Sequence, residues 1–369
     1  MSDDELLDLL RLNMISGLGP RTWSLLLGRF GSAAGILRAS GEELLAVSGV
    51  GPKLSAAITL AQNDDSAISE LARCRELGVE LVTRDDDAYP PMLAEICDPP
   101  PVLYRRGTIT ESDGLAVGMV GSRQCTLYGR QQAERIAGAL ARAGVTIVSG
   151  LARGIDEAAH RGALLAEGRT IAVSATGLAN IYPPEHETLA EEIAAQGAVV
   201  SESPLGRGPS RGIFPQRNRI ISGLSLGVII VEANRKSGAL HTARHAMEQG
   251  REVFALPGRI DNLASAGCHD LIRDGATLIR GPDDVLEALG PLMQPIRTSR
   301  DEVLHTPREL SLTEQERSVL NVVTAEPQHI DQLLAAIEIE TSRVLATLTM
   351  LEMKRLVRRL PGGFIVRAS

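Results

Sequence analysis

The sequence predicts an α/β protein built on an extended Rossmann-like, doubly wound, mostly parallel sheet. A small helical domain precedes the sheet and a three-helix module with a terminal hairpin follows it. Two observations carry this. From Gly114 to about Gly290, apolar runs rich in Val and Ile alternate with helical stretches, and continuous apolar strands between helices imply a parallel sheet covered on both faces. After that span a polar, proline-bearing stretch leads into a second helical pattern, so the chain divides at 1–65, 66–290, 291–311 and 312–369.

Residues 1–60 read as short helices joined by two similar turns, Ile15-Ser-Gly-Leu-Gly-Pro20 and Val47-Ser-Gly-Val-Gly-Pro52, 32 residues apart. The apolar-x-Gly-apolar-Gly pattern resembles the SAM-like helix-hairpin-helix motif, whose turn N–H groups face a DNA phosphate. The plainer alternative is a pair of helix–helix turns with Gly in left-handed positions. The acidic start MSDDELLDLL and the lack of a Lys/Arg cluster beside either turn speak against DNA contact there. Residues 61–110 carry one strand, Val79–Thr83, and a passage, YPPMLAEICDPPPVLYRRG, whose prolines suit neither a helix nor a central strand for long.

The central strands are predicted at Val117–Gly121, Val145–Ser149, Thr170–Ser174, Ala198–Glu202, Leu226–Glu232 and Glu252–Leu256, with helices such as Leu127–Ala143 and Ile155–Ala166 between them. Residues 291–311 read as a linker. Beyond it, Thr313-Glu-Gln-Glu316 has the pattern of a capping box, and helices over Ile330–Ile337 and Thr341–Lys354 precede a hairpin turning at Pro361-Gly-Gly363. Helix-helix-helix-hairpin is the order of a winged helix.

Composition narrows the function. A net charge of −8, 44% hydrophobic residues and 23% charged ones describe an ordinary globular chain. No apolar run approaches the roughly 18 residues of a membrane span, and no basic, apolar leader opens the chain, so a cytoplasmic protein without membrane contact is expected. Cys74, Cys97, Cys125 and Cys268 lack the C-x-x-C spacing of a zinc ribbon. His241 and His245 stand i, i+4 without the Glu of H-E-x-x-H, and no metal or cofactor is expected. The acidic total conceals a basic stretch: residues 201–260 hold nine basic against four acidic side chains, a local +5 that leaves −13 elsewhere.

The stretch Ser149-Gly-Leu-Ala-Arg-Gly-Ile-Asp-Glu-Ala-Ala-His160 follows a strand and opens a helix, where backbone N–H groups meet phosphate. Its glycines, Gly150 and Gly154, fit neither G-x-G-x-x-G nor the P-loop. Loops after the other strands share the same ligand edge of the sheet. They are Gly121-Ser122-Arg123, Gly177–His186, Ser203–Arg219 and Asn234–Gly238. Together they supply Arg123, Arg153, Arg207, Arg211, Arg217, Arg219, Arg235 and Lys236, more cations than one dinucleotide needs. A basic groove beside the aromatics Phe214 and Tyr182 suits single-stranded nucleic acid, bases stacking while cations follow the backbone. Phe214 could equally plug the sheet. Asp156, Glu202 and Glu232 are expected to orient cations or accept loop N–H bonds, and Ser149, with no His-Asp partners, to donate to phosphate. No catalytic set emerges.

These loops carry a resemblance. VGSR (120–123), SGLARGIDEAAH (149–160), SESPLGRGPSRGIFPQRNRIISGLS (201–225), VEANRKSGAL (231–240) and GREVFALPG (250–258) resemble the DNA-processing protein A (DprA/Smf) family. The resemblance implies a non-catalytic protein that binds single-stranded DNA, protects it in natural transformation, loads RecA recombinase and dimerises through the Rossmann-like domain. By position, the strand's pocket would use Arg123, Ser149, Gly150, Phe214, Arg217, Asn218 and Arg219, with Ser237 and Gly238 beside it. The chain departs from common family residues at Leu178-Ala179-Asn180, in SGALHTA and at His269. The rival reading is a nucleotide-processing enzyme of the phosphoribohydrolase type, whose Pro-Gly-Gly-x-Gly-Thr-x-x-Glu element the central domain lacks. A duplex-DNA regulator acting through the winged helix is a third, but its third helix carries only Arg343 and Lys354 as cations.

Overall fold

The computed structural model describes residues 3–210 and 212–290, and beyond them 296–297, 303–304, 314–324, 328–335, 339, 341–353, 356–360 and 364–367. Two compact units divide the chain near Leu289. The first opens with five helices: α1 (Asp3–Asn13), α2 (Pro20–Phe30), α3 (Ala33–Arg38), α4 (Gly41–Leu45) and α5 (Pro52–Ala61). Gly17 and Gly49, in the paired turns, take φ of 92° and 89°, the left-handed backbone that Gly alone adopts cheaply. Gly19 and Gly51 then stand at the helix N-caps with Pro20 and Pro52 at the first position, where a missing N–H costs nothing. α1 carries Asp3, Asp4 and Glu5 in its first turn. It buries Leu12 in the core of this helical bundle and Leu10 in a core against the sheet, so it ties the helices to the rest of the unit.

The sheet has nine strands in the order β1-β2-β6-β5-β4-β3-β7-β8-β9. They are β1 (Glu80–Thr83), β2 (Val102–Gly107), β3 (Ala116–Val120), β4 (Thr146–Ser149), β5 (Thr170–Val173), β6 (Ala198–Ser201), β7 (Gly227–Ile230), β8 (Glu252–Ala255) and β9 (Thr277–Leu278). From β6 to β9 all pairings are parallel, and every residue of β3 to β7 is buried, as helices on both faces require. The intervening helices are α6 (Ser66–Glu76), α7 (Pro91–Ala94), α8 (Leu127–Arg142), α9 (Ile155–Leu165), α10 (Glu187–Gln196), α11 (Ile213–Gly223), α12 (Ala239–Glu248), α13 (Ala266–Arg273) and α14 (Pro282–Leu289).

The proline-rich passage departs from expectation. Val102–Gly107 is a strand paired on both sides, antiparallel to β1 and to β6. The prolines end at Pro101, one residue before the ladder starts, so none removes a ladder donor. Tyr104 at its centre is fully buried. The other strands first read shift by one or two residues at their ends, the loop read over Ser203–Arg219 is helix from Ile213 onward, and a short edge strand, β9, is added.

The second unit holds the antiparallel pair β10 (Ile296–Arg297) and β11 (Val303–Leu304), inside the stretch read as a linker. Then come α15 (Glu314–Val322), β12 (Gln328–His329), α16 (Ile330–Ala335), α17 (Thr341–Met353), β13 (Val357–Leu360) and β14 (Phe364–Arg367). β12, β14 and β13 form one antiparallel sheet, and Val319, Leu333, Val344, Leu348 and Ile365 fill the unit's own core. This is a winged helix. Thr313 of the expected capping box and the Pro361-Gly-Gly363 turn lie outside the described residues.

Candidate nucleic-acid interface

The chain runs outward from β3 to β6 and then returns to place β7 on the other side of β3, so the loops after these strands flank the point where the winding reverses. The loop after β3 is tied to both sides. Ser122 N–H donates to the Glu232 carbonyl at 2.7 Å, and the Ser122 carbonyl accepts the Ile155 N–H at 3.3 Å. A Cβ on Gly121 would lie 2.6 Å from Ile155 Cγ1 and 2.9 Å from the Glu232 carbonyl oxygen, so only Gly fits this close crossing. Arg123, which follows, is exposed. Its guanidinium lies 5.0 Å from the centre of the Phe214 ring, and Phe214 meets Tyr182 edge to face at 5.8 Å. Segments that follow three strand ends, two loops and the first turn of α11, thus converge on a half-buried aromatic pair with a cation on its face.

The expected phosphate cradle at 149–160 is already answered from within the protein. Ser149 is fully buried, and its hydroxyl donates to the Met119 carbonyl at 2.6 Å, so it is no open donor. Leu151 adopts φ 57°, its carbonyl accepting from His186 Nδ1 at 2.9 Å. Gly154, at φ 81°, caps α9, and any Cβ there would collide with the Ser122 carbonyl. The buried carboxylate of Asp156 accepts the Ala152 N–H at 3.3 Å, so an anion from the protein already sits in this turn. Gly150 is the gap through which Arg217 reaches it, since a Cβ would stand 2.6 Å from both Arg217 Nη2 and Asp156 Oδ2.

Arg217 and Arg219 sit on α11 but not on an open rim, a correction to the reading of the loops as one row of exposed cations. Arg217 is buried, with Nη1 donating to the carbonyls of Gly150 and Val173. Burial pushes its guanidinium down to about 10, against the pull of Asp156, and it pushes the Asp156 carboxyl up, against the pull of Arg217. Arg219 is equally buried, bonded to Glu202 at 2.6 Å and paired with Asp98 at 3.2 Å. Two residues apart on a helix, these side chains face opposite ways, and each is held by acceptors brought from elsewhere in the fold. Asp98, in the CDPPP passage, was invisible to sequence reasoning because no local pattern couples it to a residue more than a hundred positions away.

Among the other candidates, Asn218 donates to the Gly238 carbonyl at 3.3 Å, joining α11 to the loop after β7. Ser237 is half-buried and Gly238 exposed beside Lys236, which is also exposed. Arg153 and Arg235 are exposed but paired with Glu185 and Asp270. Arg207 is half-buried, and Arg211 lies outside the described residues. Glu232, fully buried, accepts the Thr126 N–H at 2.8 Å and its hydroxyl at 2.6 Å. Its carboxylate therefore occupies the N-terminus of α8, the helix that a nucleotide's phosphates would otherwise use.

Known proteins resemble this chain in sequence and fold. A sequence model of DNA recombination-mediator protein A matches residues 80–290, one of the DprA winged helix domain matches 304–363, and one of a SAM-like helix-hairpin-helix tandem matches 8–64. Protein Smf of Synechocystis is 36% identical over 98% of this chain and 98% of its own. The DNA processing protein DprA of Bacillus subtilis is 44% identical over 59% of this chain and 74% of its own. The X-ray structure of DprA from Streptococcus pneumoniae superimposes with a TM-score of 0.64 at 36% identity, covering 76% of this chain and 95% of that one. A Helicobacter pylori structure, whose subject is the single-stranded DNA binding mode of DNA processing protein A, gives 0.51 at 34% identity over 57% and 95%. The chain belongs to the DprA/Smf family of DNA-processing, recombination-mediator proteins.

Proposed function

We propose that this protein binds single-stranded DNA along the strand-end edge of its sheet, protects the strand and hands it to RecA recombinase, acting as a cytoplasmic homodimer and performing no chemistry on the DNA. The observation that carries the reading is the stack of Arg123, Phe214 and Tyr182. The half-exposed aromatic pair offers ring surface on which any base can stack, while Arg123 beside it and Lys236 supply cations for the backbone. The Helicobacter pylori relative's single-strand binding mode supports the same assignment. Placing Glu232 on the α8 N-terminus speaks against a nucleotide-processing enzyme, because two anions would compete for one helix end.

The test is a binding comparison of single-stranded and blunt duplex DNA, with nucleotide hydrolysis followed alongside. The expected result is preference for the single strand without marked sequence dependence, and no hydrolysis. Phe214→Ala is expected to weaken the strand by about 1–3 kcal/mol, the usual worth of one stacked base. Equal affinity for duplex, or an unchanged Phe214→Ala, would overturn the reading.

A further inference from the structure

Residues 312–369 are neutral overall, but their charge is divided along the sequence. The part up to Met353 holds two cations and seven acids, whereas residues 354–369 hold five cations and no acid. A basic hairpin also serves to keep sheet edges from pairing with other chains, so charge alone names no ligand. The strand register supplies the second observation.

In the sheet of β12, β14 and β13, directly opposed residues share a face. His329 stands opposite Phe364, and Val366 stands opposite Arg358, so His329, Phe364 and Arg358 belong to one face. The other face is the packed one. It carries Val357 and Ile365, both buried in the unit's core, and Arg359, which meets Glu352 at 3.4 Å and Thr349 at 2.9 Å on α17. On the face turned away from that core, Phe364 is 40% exposed, the only exposed one of the chain's four phenylalanines. His329 holds its ring edge to face at 5.3 Å. Arg358, one diagonal away on the neighbouring strand, is exposed and has no ion pair among the described residues.

We infer that this sheet face of the winged helix is a second contact for single-stranded DNA, with a base stacked on Phe364 and a phosphate on Arg358. Charge chooses the occupant, because five cations without an acid suit the phosphates of a nucleic acid. The exposed ring chooses the single strand, since only unpaired bases are free to stack on it. Ring and cation repeat the pairing of Phe214 with Arg123. The inference rests on the single-strand reading above, and it leaves α17, with its exposed Arg343, no part in the contact.

The experiment compares Phe364→Ala, Arg358→Ala and Arg343→Ala in the full chain on two oligo-dT strands, one within the about 4–16 nucleotides that a single domain covers and one several times longer. Both wing side chains are exposed, so neither variant is expected to unfold the unit. On the long strand Phe364→Ala is expected to lose about fivefold in affinity, the low end for one stacked base. Arg358→Ala is expected to make the salt dependence shallower by about 0.7, one phosphate's share for a single strand. Phe364→Trp, which keeps a stacking surface, should bind as wild type does. On the short strand, which fills the sheet-edge site alone, no wing variant changes, and Arg343→Ala changes on neither. Unchanged long-strand binding in both Phe364→Ala and Arg358→Ala would overturn the inference, as would an equal loss in Arg343→Ala or a loss confined to blunt duplex. A changed oligomeric state with DNA affinity intact would make the face a contact between copies and overturn it as well. If the wild type binds neither strand, or Phe214→Ala binds both as wild type does, the functional reading itself is at fault. Both lengths weakened by Phe214→Ala but neither by the wing variants removes the wing contact alone.

Discussion

Arg217 and Asp156 are charges withdrawn from water, and their neighbours share the consequence. His160 is fully buried beside them, with Nδ1 2.8 Å from Thr170 Oγ1. Thr170 spends its own proton on the Ile147 carbonyl at 2.7 Å, so His160 Nδ1 is the donor and Nε2 is bare. Burial, with His186 and Arg217 adding to it, pushes the imidazole down to about 3. The unfolded chain takes up this proton below about 6.5, while the folded protein refuses it until about 3. Stability tied to His160 is therefore intact above about 6.5 and falls by about 1.4 kcal/mol per pH unit as pH drops through that window. His160→Gln is expected to shrink the stability lost between pH 7 and pH 5 by about 2 kcal/mol, read by urea unfolding at the two pH values. Parallel losses in variant and wild type would refute this account of the network.

Among the elements, α8 shows how an internal anion can replace a ligand. Its N-terminus lies at the reversal point of the sheet, where the fold ordinarily receives phosphates, and Glu232 reaches it from the end of β7. Gly129 makes this close approach possible, because a Cβ there would stand 2.5 Å from Glu232 Cδ. In a helix interior Gly→Ala normally stabilises by about 1 kcal/mol. Here the sign is expected to reverse, with Gly129→Ala lowering stability by about 1–3 kcal/mol as the cap on Thr126 is displaced. Calorimetric melting decides it, and a stabilised variant would mean that Glu232 does not hold the helix end. The β2 strand teaches a related lesson about reading elements. VLYRRG lacks the flanking helices that identify the parallel strands, and the prolines before it mask its period. Its pairing was decided by β6, nearly a hundred residues on.

Over the whole molecule, the units differ in what they offer DNA. The winged helix has its own core, and Arg343 is the one cation within the described residues of α17, poor equipment for a groove-reading helix. Removing residues 312–369 is expected to leave single-strand affinity within about tenfold, roughly 1.4 kcal/mol. A loss of several orders of magnitude would move the site to the C-terminal unit. The N-terminal helices are another matter, because Leu10 lies in the sheet's own core.

Much of this architecture was legible in local pattern. Period and composition identify the six parallel strands first read, the paired Gly turns and the winged-helix order, because each depends on residues within one element or its immediate neighbours. The convergence of Arg123, Phe214 and Tyr182 at one edge followed from strand-to-helix alternation and right-handed crossovers. What only the tertiary structure decided is which polar groups stay open to solvent and which are buried on partners. Ser149, Arg217 and Arg219 stand in loops and a helix that read as exposed, yet Met119, Gly150, Val173, Asp98 and Glu202 claim them. A charged side chain's solvation depends on partners brought from distant positions, and no local spacing encodes them.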